Sequence, residues 1–443
     1  MAPPHGRRSG VGCPSLDSGT QPFLTVSFPE FPERSRTPSA EWTMRPMDYA
    51  THREAMVAAL RERQEISERV AEALLAVPRH LFLPGVDPEN AYRDEPIVTK
   101  RDEEGRPISS SSQPAIMASM LDQLGVEPGH RVLEIGAGTG YNAALLARLA
   151  GPGGHVVSVD LDEDIVVEAR RHLSAAGLPG VEVVCADGVE GFPGRAPYDR
   201  LIATVGVWDL APAWLAQLGP GGRLVVPLDL RGVQASVAME RSGGHWVSRS
   251  VVPCGFMRMR GPFAGPEVNV VLRADPMLML SLPGPREIGD VLGALEAPPV
   301  QAGTEVAGLP SSAVAGPAVG TAVGMSVALW LTLHEPRWCM LSGKLGHGYG
   351  ATVGLVEGDG IALLMGDEPL VARGHGPGGG ELAADLAAHV TAWNEAGRPD
   401  TGTLRIEAYP RPAPGGGADL GPAPEAGIVV EKRHTDLVVR FSG

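Results

Sequence analysis

A chain of 443 residues with a formal net charge of −15 is long enough for two or three domains with ample core, and it lacks the excess of Lys and Arg that a nucleic-acid surface needs. Its 58 glycines and 41 prolines favour long connections, and Cys13, Cys185, Cys254 and Cys339 show no CxxC or metal-ligand spacing, which reads as free thiols in a reducing cytoplasm. With no apolar run long enough to span a bilayer and no apolar signal core near the start, a soluble cytoplasmic protein is expected, with no membrane or nucleic-acid partner.

Residues 1–43 are rich in Pro, Ser, Gly and Arg without periodicity and are expected to be a disordered leader, with Met44 an alternative start. From Asp48 to Val77, Met56, Leu60, Val70, Leu74 and Leu75 recur near helical spacing, and Ile66-Ser67-Glu68 divides the run into two helices. Val77 to Pro84 reads as a helix end and a turn, and 85–107 as polar loop. Ile108-Ser109-Ser110-Ser111-Ser112-Gln113-Pro114 then leads into a helix with Pro114 in its first turn. Helix capping is the simplest role for such a hydroxyl run, but its place just before the next strand makes a substrate role worth weighing.

Val132 to Ile135 is an apolar strand that runs into Gly136-Ala137-Gly138-Thr139-Gly140 and a helix from Tyr141. Glycines allow close backbone approach, and the helix N-terminus aims its free N–H groups at the same spot. The Gly-x-Gly-x-Gly spacing is one residue tighter than a dinucleotide fingerprint, and the acidic Glu134 before it suits a cationic ligand such as S-adenosylmethionine better than an anion. Gly154 to Val159 reads as a buried parallel strand closed by Asp160, twenty residues past Gly140, where a Rossmann-like domain places an acid for the ribose hydroxyls.

A helix from Glu163 to Ala176 and strands at Val181–Cys185, Tyr198–Thr204 and Arg223–Pro227 complete an alternating pattern, with a helix from Pro212 to Leu218 before the last strand. The fold class is therefore α/β, a Rossmann-like doubly wound sheet with its ligand at the carboxyl ends of the strands. Glu134, Asp160, Asp187-Gly188 and Thr204-Val205-Gly206 all fall at those ends. A hairpin spans Val237 to Val252 around Gly243-Gly244.

Beyond Pro266 the texture changes. Val268–Leu282 and Ala328–Leu333 look like strands, Glu381–Trp393 like a helix and Val429–Phe441 like a final strand, with loops at Gly303–Gly324 and Pro410–Pro424. The expected organisation is a leader at 1–43, a catalytic domain at 44–265 and a smaller α+β domain at 266–443. His334-Glu335, His347 and His375 lack ligand spacing, so no metal centre is expected.

Over roughly residues 50–262 the chain resembles the protein L-isoaspartyl (D-aspartyl) O-methyltransferase family. The resemblance lies in Ser112-Gln113-Pro114, in Val132 to Tyr141, in Asp187-Gly188, in Ala196 to Thr204, and in Gln217-Leu218 with Gly221 to Pro227. It implies methyl transfer from S-adenosylmethionine to the side-chain carboxyl of an abnormal aspartyl residue in a protein or peptide. The family's hydroxyl-bearing segment meets that carboxylate, which carries over onto Ser112 and then Ser110, with Gln113, Val205, Trp208 and Phe256 on the substrate side. Glu134, Gly136, Gly138, Gly140, Asp160, Asp187 and Gly188 form the cofactor side, with Asp160 on the ribose, Asp187 on the adenine amino group and Glu134 ordering the glycine loop.

The chain departs from the family at Val205-Gly206-Val207-Trp208-Asp209, where a run of Ala and Pro is usual, and at Gly255, where an Arg before Phe256 is common. With the C-terminal extension, these departures resemble the actinobacterial branch that accompanies ribosomally made peptides such as lanthipeptides, where a methyl ester on Asp collapses to an aspartimide. Alternatives are a methyltransferase with another acceptor and a non-catalytic module that binds a cofactor or peptide. Oligomeric state is not legible.

Overall fold

The computed structural model describes residues 47–103, 105–300, 304–305, 322–345, 348–365, 371–411 and 427–442. The leader, Met44, His347 and most of the two expected loops at 303–324 and 410–424 lie outside the described residues. The chain begins with α1 (Met47–Arg63), α2 (Glu68–Ala76), α3 (Pro88–Ala91), the hairpin β1 (Ile97–Arg101) and β2 (Pro107–Ser111), and α4 (Pro114–Leu124). Then come β3 (Arg131–Ile135), α5 (Tyr141–Ala150), β4 (His155–Asp160), α6 (Glu163–Ala175), β5 (Glu182–Cys185), β6 (Tyr198–Ala203), α7 (Pro212–Gln217), β7 (Leu218–Asp229), β8 (Gln234–Ser242) and β9 (His245–Pro253). The rest is β10 (Val268–Arg273), β11 (Leu278–Leu282), α8 (Val291–Glu296), β12 (Thr304–Glu305), α9 (Ala322–His334), β13 (Trp338–Leu345), β14 (Gly348–Glu357), β15 (Gly360–Met365), β16 (Val371–His375), α10 (Gly379–Glu395), β17 (Leu404–Pro410), β18 (Ile428–Glu431) and β19 (Thr435–Phe441).

One ten-stranded sheet runs β5-β4-β3-β6-β7-β8-β9-β17-β19-β18. Its first five strands pair parallel and the rest antiparallel. The Rossmann-like order reverses between β3 and β6, and the crevice that such a reversal opens is where a ligand belongs. Successive residues of each parallel strand go to opposite cores, because side chains alternate along a strand. Val132, Val156, Ile202 and Val225 face a core shared with Leu74 of α2, Leu121 of α4, Leu145 of α5 and Val166 of α6. Leu133, Val157, Leu201 and Leu224 face a second core. That core contains Trp214 of α7 together with Leu331 of α9, Leu386 and Trp393 of α10, and Leu437 of β19.

The C-terminal half therefore covers the sheet face that the short α7 leaves open. A second, antiparallel sheet, β10-β11-β13-β14-β15-β16-β12, lies beyond α9 and α10. The boundary expected at 265/266 does not separate the two sheets, since β17, β19 and β18 extend the first one through β9.

Four other expectations change. Within and just after the loop expected at 85–107, Ile97 to Arg101 pairs with Pro107 to Ser111 as a hairpin, whose Thr, Lys, Arg and Ser hide the strand pattern. Ala328–Leu333 belongs to the helix α9, since a short apolar run does not distinguish a buried helix from a strand. Val429–Phe441 is two strands that turn at 432–434. Cys185 is disulfide-bonded, whereas Cys254 and Cys339 are free. No helix among the described residues is long and apolar enough to cross a membrane.

Candidate active site

A cavity of about 290 Å³ opens at the carboxyl ends of β3, β4 and β6. On one side is the glycine loop. Gly136 sits at φ +100°, a conformation open to glycine, and a Cβ there would lie 2.8 Å from the Thr204 hydroxyl. That hydroxyl donates to the Gly136 carbonyl at 2.7 Å, tying the end of β6 to the loop. Gly138 N–H donates to Asp160 Oδ2 at 3.0 Å, and Asp162 N–H to Asp160 Oδ1 at 3.3 Å. Burial pushes the Asp160 carboxyl up against these two bonds, which favour its charged form. Asp187 caps the turn at Gly188–Glu190, accepting from Val189 N–H at 3.0 Å.

Two expected cofactor residues do not line this cavity. Glu134 is fully buried behind the loop, where it accepts from Asn142 Nδ2 at 2.7 Å and Ser158 Oγ at 2.5 Å. Desolvation lifts its carboxyl to about 7 in spite of both bonds. It thereby ties β3 and β4 to the first turn of α5. Gly140 lies at the α5 cap, where a Cβ would approach the Ala169 carbonyl of α6 to 3.2 Å, so its smallness serves helix packing. Gly136, Gly138, Asp160, Asp187 and Gly188 do line the cavity.

The other wall is the serine strand with the segment from Pro253 to Arg260. Ser110, Ser112, Gln113, Val205 and Phe256 all line it. Trp208 does not: it packs under Gly265, with Lys432 Nζ 5.4 Å and Arg433 Cζ 5.7 Å from its ring. Helix α4 has Gln113 at its cap with no side-chain cap bond, and Ala115 N–H is instead satisfied by Asp94 Oδ1 at 2.8 Å. Asp94 thus does the capping expected of the serines. Among the described residues the Ser110 and Ser112 hydroxyls have no hydrogen-bond partner.

Behind them lies Arg79, with no exposed surface, whose Nη2 donates to the Ser112 carbonyl at 3.0 Å and to Ser111 Oγ at 3.4 Å. Arg79 stands in a turn some thirty residues upstream, and nothing in its Pro-Arg-His context signals this role.

The residues present suit a cationic nucleoside. Asp160 and Asp187 stand at adjacent strand ends, and Asn142 Oδ1, beside the loop, is buried without a partner among the described residues. The two cationic lining side chains are already paired: Arg258 with Asp229 and Glu267, and Arg260 with Asp162 at 3.0 Å. The lining thus holds no spare cation for a phosphate group. No group of three potential metal ligands occurs among the described residues.

A family model for protein-L-isoaspartate(D-aspartate) O-methyltransferase matches residues 51–261. A protein-L-isoaspartate O-methyltransferase of Methanopyrus kandleri is 40% identical over 212 residues, which is 47% of this chain and 91% of that protein. One of Methanoculleus marisnigri is 43% identical over 193 residues, 43% of this chain and 84% of the relative. A solved structure of a protein-L-isoaspartate O-methyltransferase aligns at a TM-score of 0.47 with 25% identity, covering 80% of this chain and 96% of its own. With the glycine loop, the strand-end acids and the serine strand assembled around one cavity, the chain belongs to the protein-L-isoaspartate O-methyltransferase family.

Proposed function

We propose that this protein transfers a methyl group from S-adenosylmethionine to the free carboxylate of an isoaspartyl residue in a protein or peptide. The observation that carries the proposal is the serine strand: two hydroxyls, at Ser110 and Ser112, without a hydrogen-bond partner among the described residues, in the same cavity as the glycine loop and its acids. The cofactor supplies a methyl group activated by a sulfonium. The protein aligns. Asp160 holds the ribose hydroxyls, Asp187 the adenine amino group and Ser112 the acceptor carboxylate, with Ser110 beside it and Gln113, Val205 and Phe256 around the acceptor chain. A carboxylate is already ionised at neutral pH and needs no general base, so orientation is the main catalytic contribution. After release, the following backbone nitrogen attacks the ester carbonyl, methanol leaves and a succinimide closes.

The finer proposal concerns the acceptor. The departures at 205–209 and Gly255, and a C-terminal half that lies beyond the family match, support a specialised substrate, such as an Asp in a ribosomally made precursor peptide whose succinimide is the product. Free Cys254 and Cys339 support a cytoplasmic setting, and the disulfide at Cys185 weighs the other way. The test supplies radiolabelled S-adenosylmethionine with an isoaspartyl peptide and, separately, with an Asp-containing precursor peptide. Base-labile methyl incorporation into the first supports the main proposal, and preference for the second supports the finer one. Cofactor binding without incorporation into either sinks both.

A further inference from the structure

The C-terminal half supplies no lining residue to the cavity among those described, yet it grips the two loops that form the acceptor wall. After β6 the loop 205–209 places Val205 in the cavity, and Asp209, with no exposed surface, accepts from His434 N–H and Thr435 Oγ1, both at 2.6 Å. Lys432 Nζ donates to the Asp229 carbonyl at 2.8 Å and lies 3.6 Å from its carboxylate. The same carboxylate receives Arg258 Nη2 at 2.8 Å, and Arg258 lines the cavity. Glu267 is the second acid on Arg258. The two loops are stitched together by Gly206 N–H to the Met257 carbonyl and Met259 N–H to the Gly206 carbonyl, both 2.8 Å.

We infer that the turn from Lys432 to Thr435 is a positioning element for the acceptor wall, with Lys432 setting Arg258 through the carboxylate that they share. Three buried acids, Asp209, Asp229 and Glu267, surround two buried bases, Arg258 and Lys432. Loss of Lys432 adds one further uncompensated negative charge to the group, a large cost in a buried site, and leaves Arg258 contested by Asp229 and Glu267. The relief available is movement of 255–260 and, through the stitch at Gly206, of 205–209. A C-terminal turn thus decides where the peptide-facing wall stands.

The kinetic part of this inference rests on the proposed carboxyl methylation, and a second readout does not. In the full-length chain, Lys432→Met is expected to speed hydrogen exchange of segments 205–209 and 255–260 by about tenfold, without loosening α5 or β4. It is expected to raise KM for an isoaspartyl peptide by about tenfold, with kcat and S-adenosylhomocysteine affinity within about threefold of wild type. Lys432→Met with Glu267→Gln returns the group to its wild-type charge and restores both readouts. If Lys432→Met does not fold, Thr435→Val, which removes one donor to Asp209, gives the smaller change at 205–209.

Unchanged exchange in both loops overturns the inference. So does a uniform loss of stability, cofactor affinity and peptide affinity that the double variant fails to reverse. Wild-type protein that methylates no carboxylate sinks the proposed function, and the exchange readout then decides the positioning role alone.

Discussion

The buried guanidinium of Arg79 holds the main-chain carbonyl of Ser112 at 3.0 Å, while its Nε and Nη1 have no partner among the described residues. Burial pushes the Arg79 pKa down, so the fold keeps a cation in a costly place. Removing a buried cation that has no acid partner relieves its desolvation cost, which offsets the hydrogen bonds lost with it. Arg79→Met is therefore expected to leave folding stability within about 1 kcal/mol and to lower kcat/KM about 10- to 100-fold, because the serine strand loses its anchor. Equal loss of melting temperature and activity on this substitution would make Arg79 ordinary scaffold.

Asp94 takes the capping bond, which leaves Ser112 to the proposed acceptor role. Since Asp94 satisfies the first turn of α4, Asp94→Ala is expected to cost about 1 kcal/mol of stability. Ser112→Ala should leave the melting temperature unchanged and raise the peptide KM. A melting loss on Ser112→Ala with full methylation would return the residue to a capping role.

Asp160 accepts two backbone N–H bonds and lines the cavity. Asp160→Asn removes the charge and turns one acceptor into a donor that opposes an N–H. Calorimetry with S-adenosylhomocysteine is expected to show about 10- to 100-fold weaker binding in a folded protein. Unaltered affinity would remove Asp160 from the ribose site.

Glu134 gives a pH signature. Its carboxyl rises from an ordinary 4.5 to about 7 on folding, so the native state binds the proton more tightly than the unfolded chain does. The contribution is complete below the unfolded value and fades as pH climbs through the folded one, so stability falls between about pH 4.5 and 7 by about 3 kcal/mol and then levels. Glu134→Gln keeps two hydrogen-bonding atoms and removes the titration. Melting curves across this range should show a shallower decline for the variant, and parallel curves would mean that Glu134 stays ionised throughout.

The parallel core was legible because its signals are local. Val132 to Tyr141 announces strand, turn and helix within ten residues, and Asp160 and Asp187 follow at intervals set by one strand and one helix each. Glycine spacing and alternating apolar runs report short-range backbone requirements, which a sequence carries openly. That established the fold of residues 131–229 and the nature of the ligand.

What surrounds that core was decided by tertiary packing. Capping stays open to Ser112 beside its acceptor role until Asp94 takes that bond, and Glu134 and Gly140 read as cofactor residues until burial places one under the loop and the other against Ala169. Trp208 falls to the C-terminal turn. Arg79 meets Ser112 across thirty-three residues, and Lys432 meets Asp229 across two hundred and three. No periodicity reports such pairs: each is chosen by which surfaces the packed sheet leaves to be covered and by the cost of leaving a buried charge alone. The sequence alone determined the cofactor and the loop that cradles it, and the packed structure decided which of the side chains so named line the cavity.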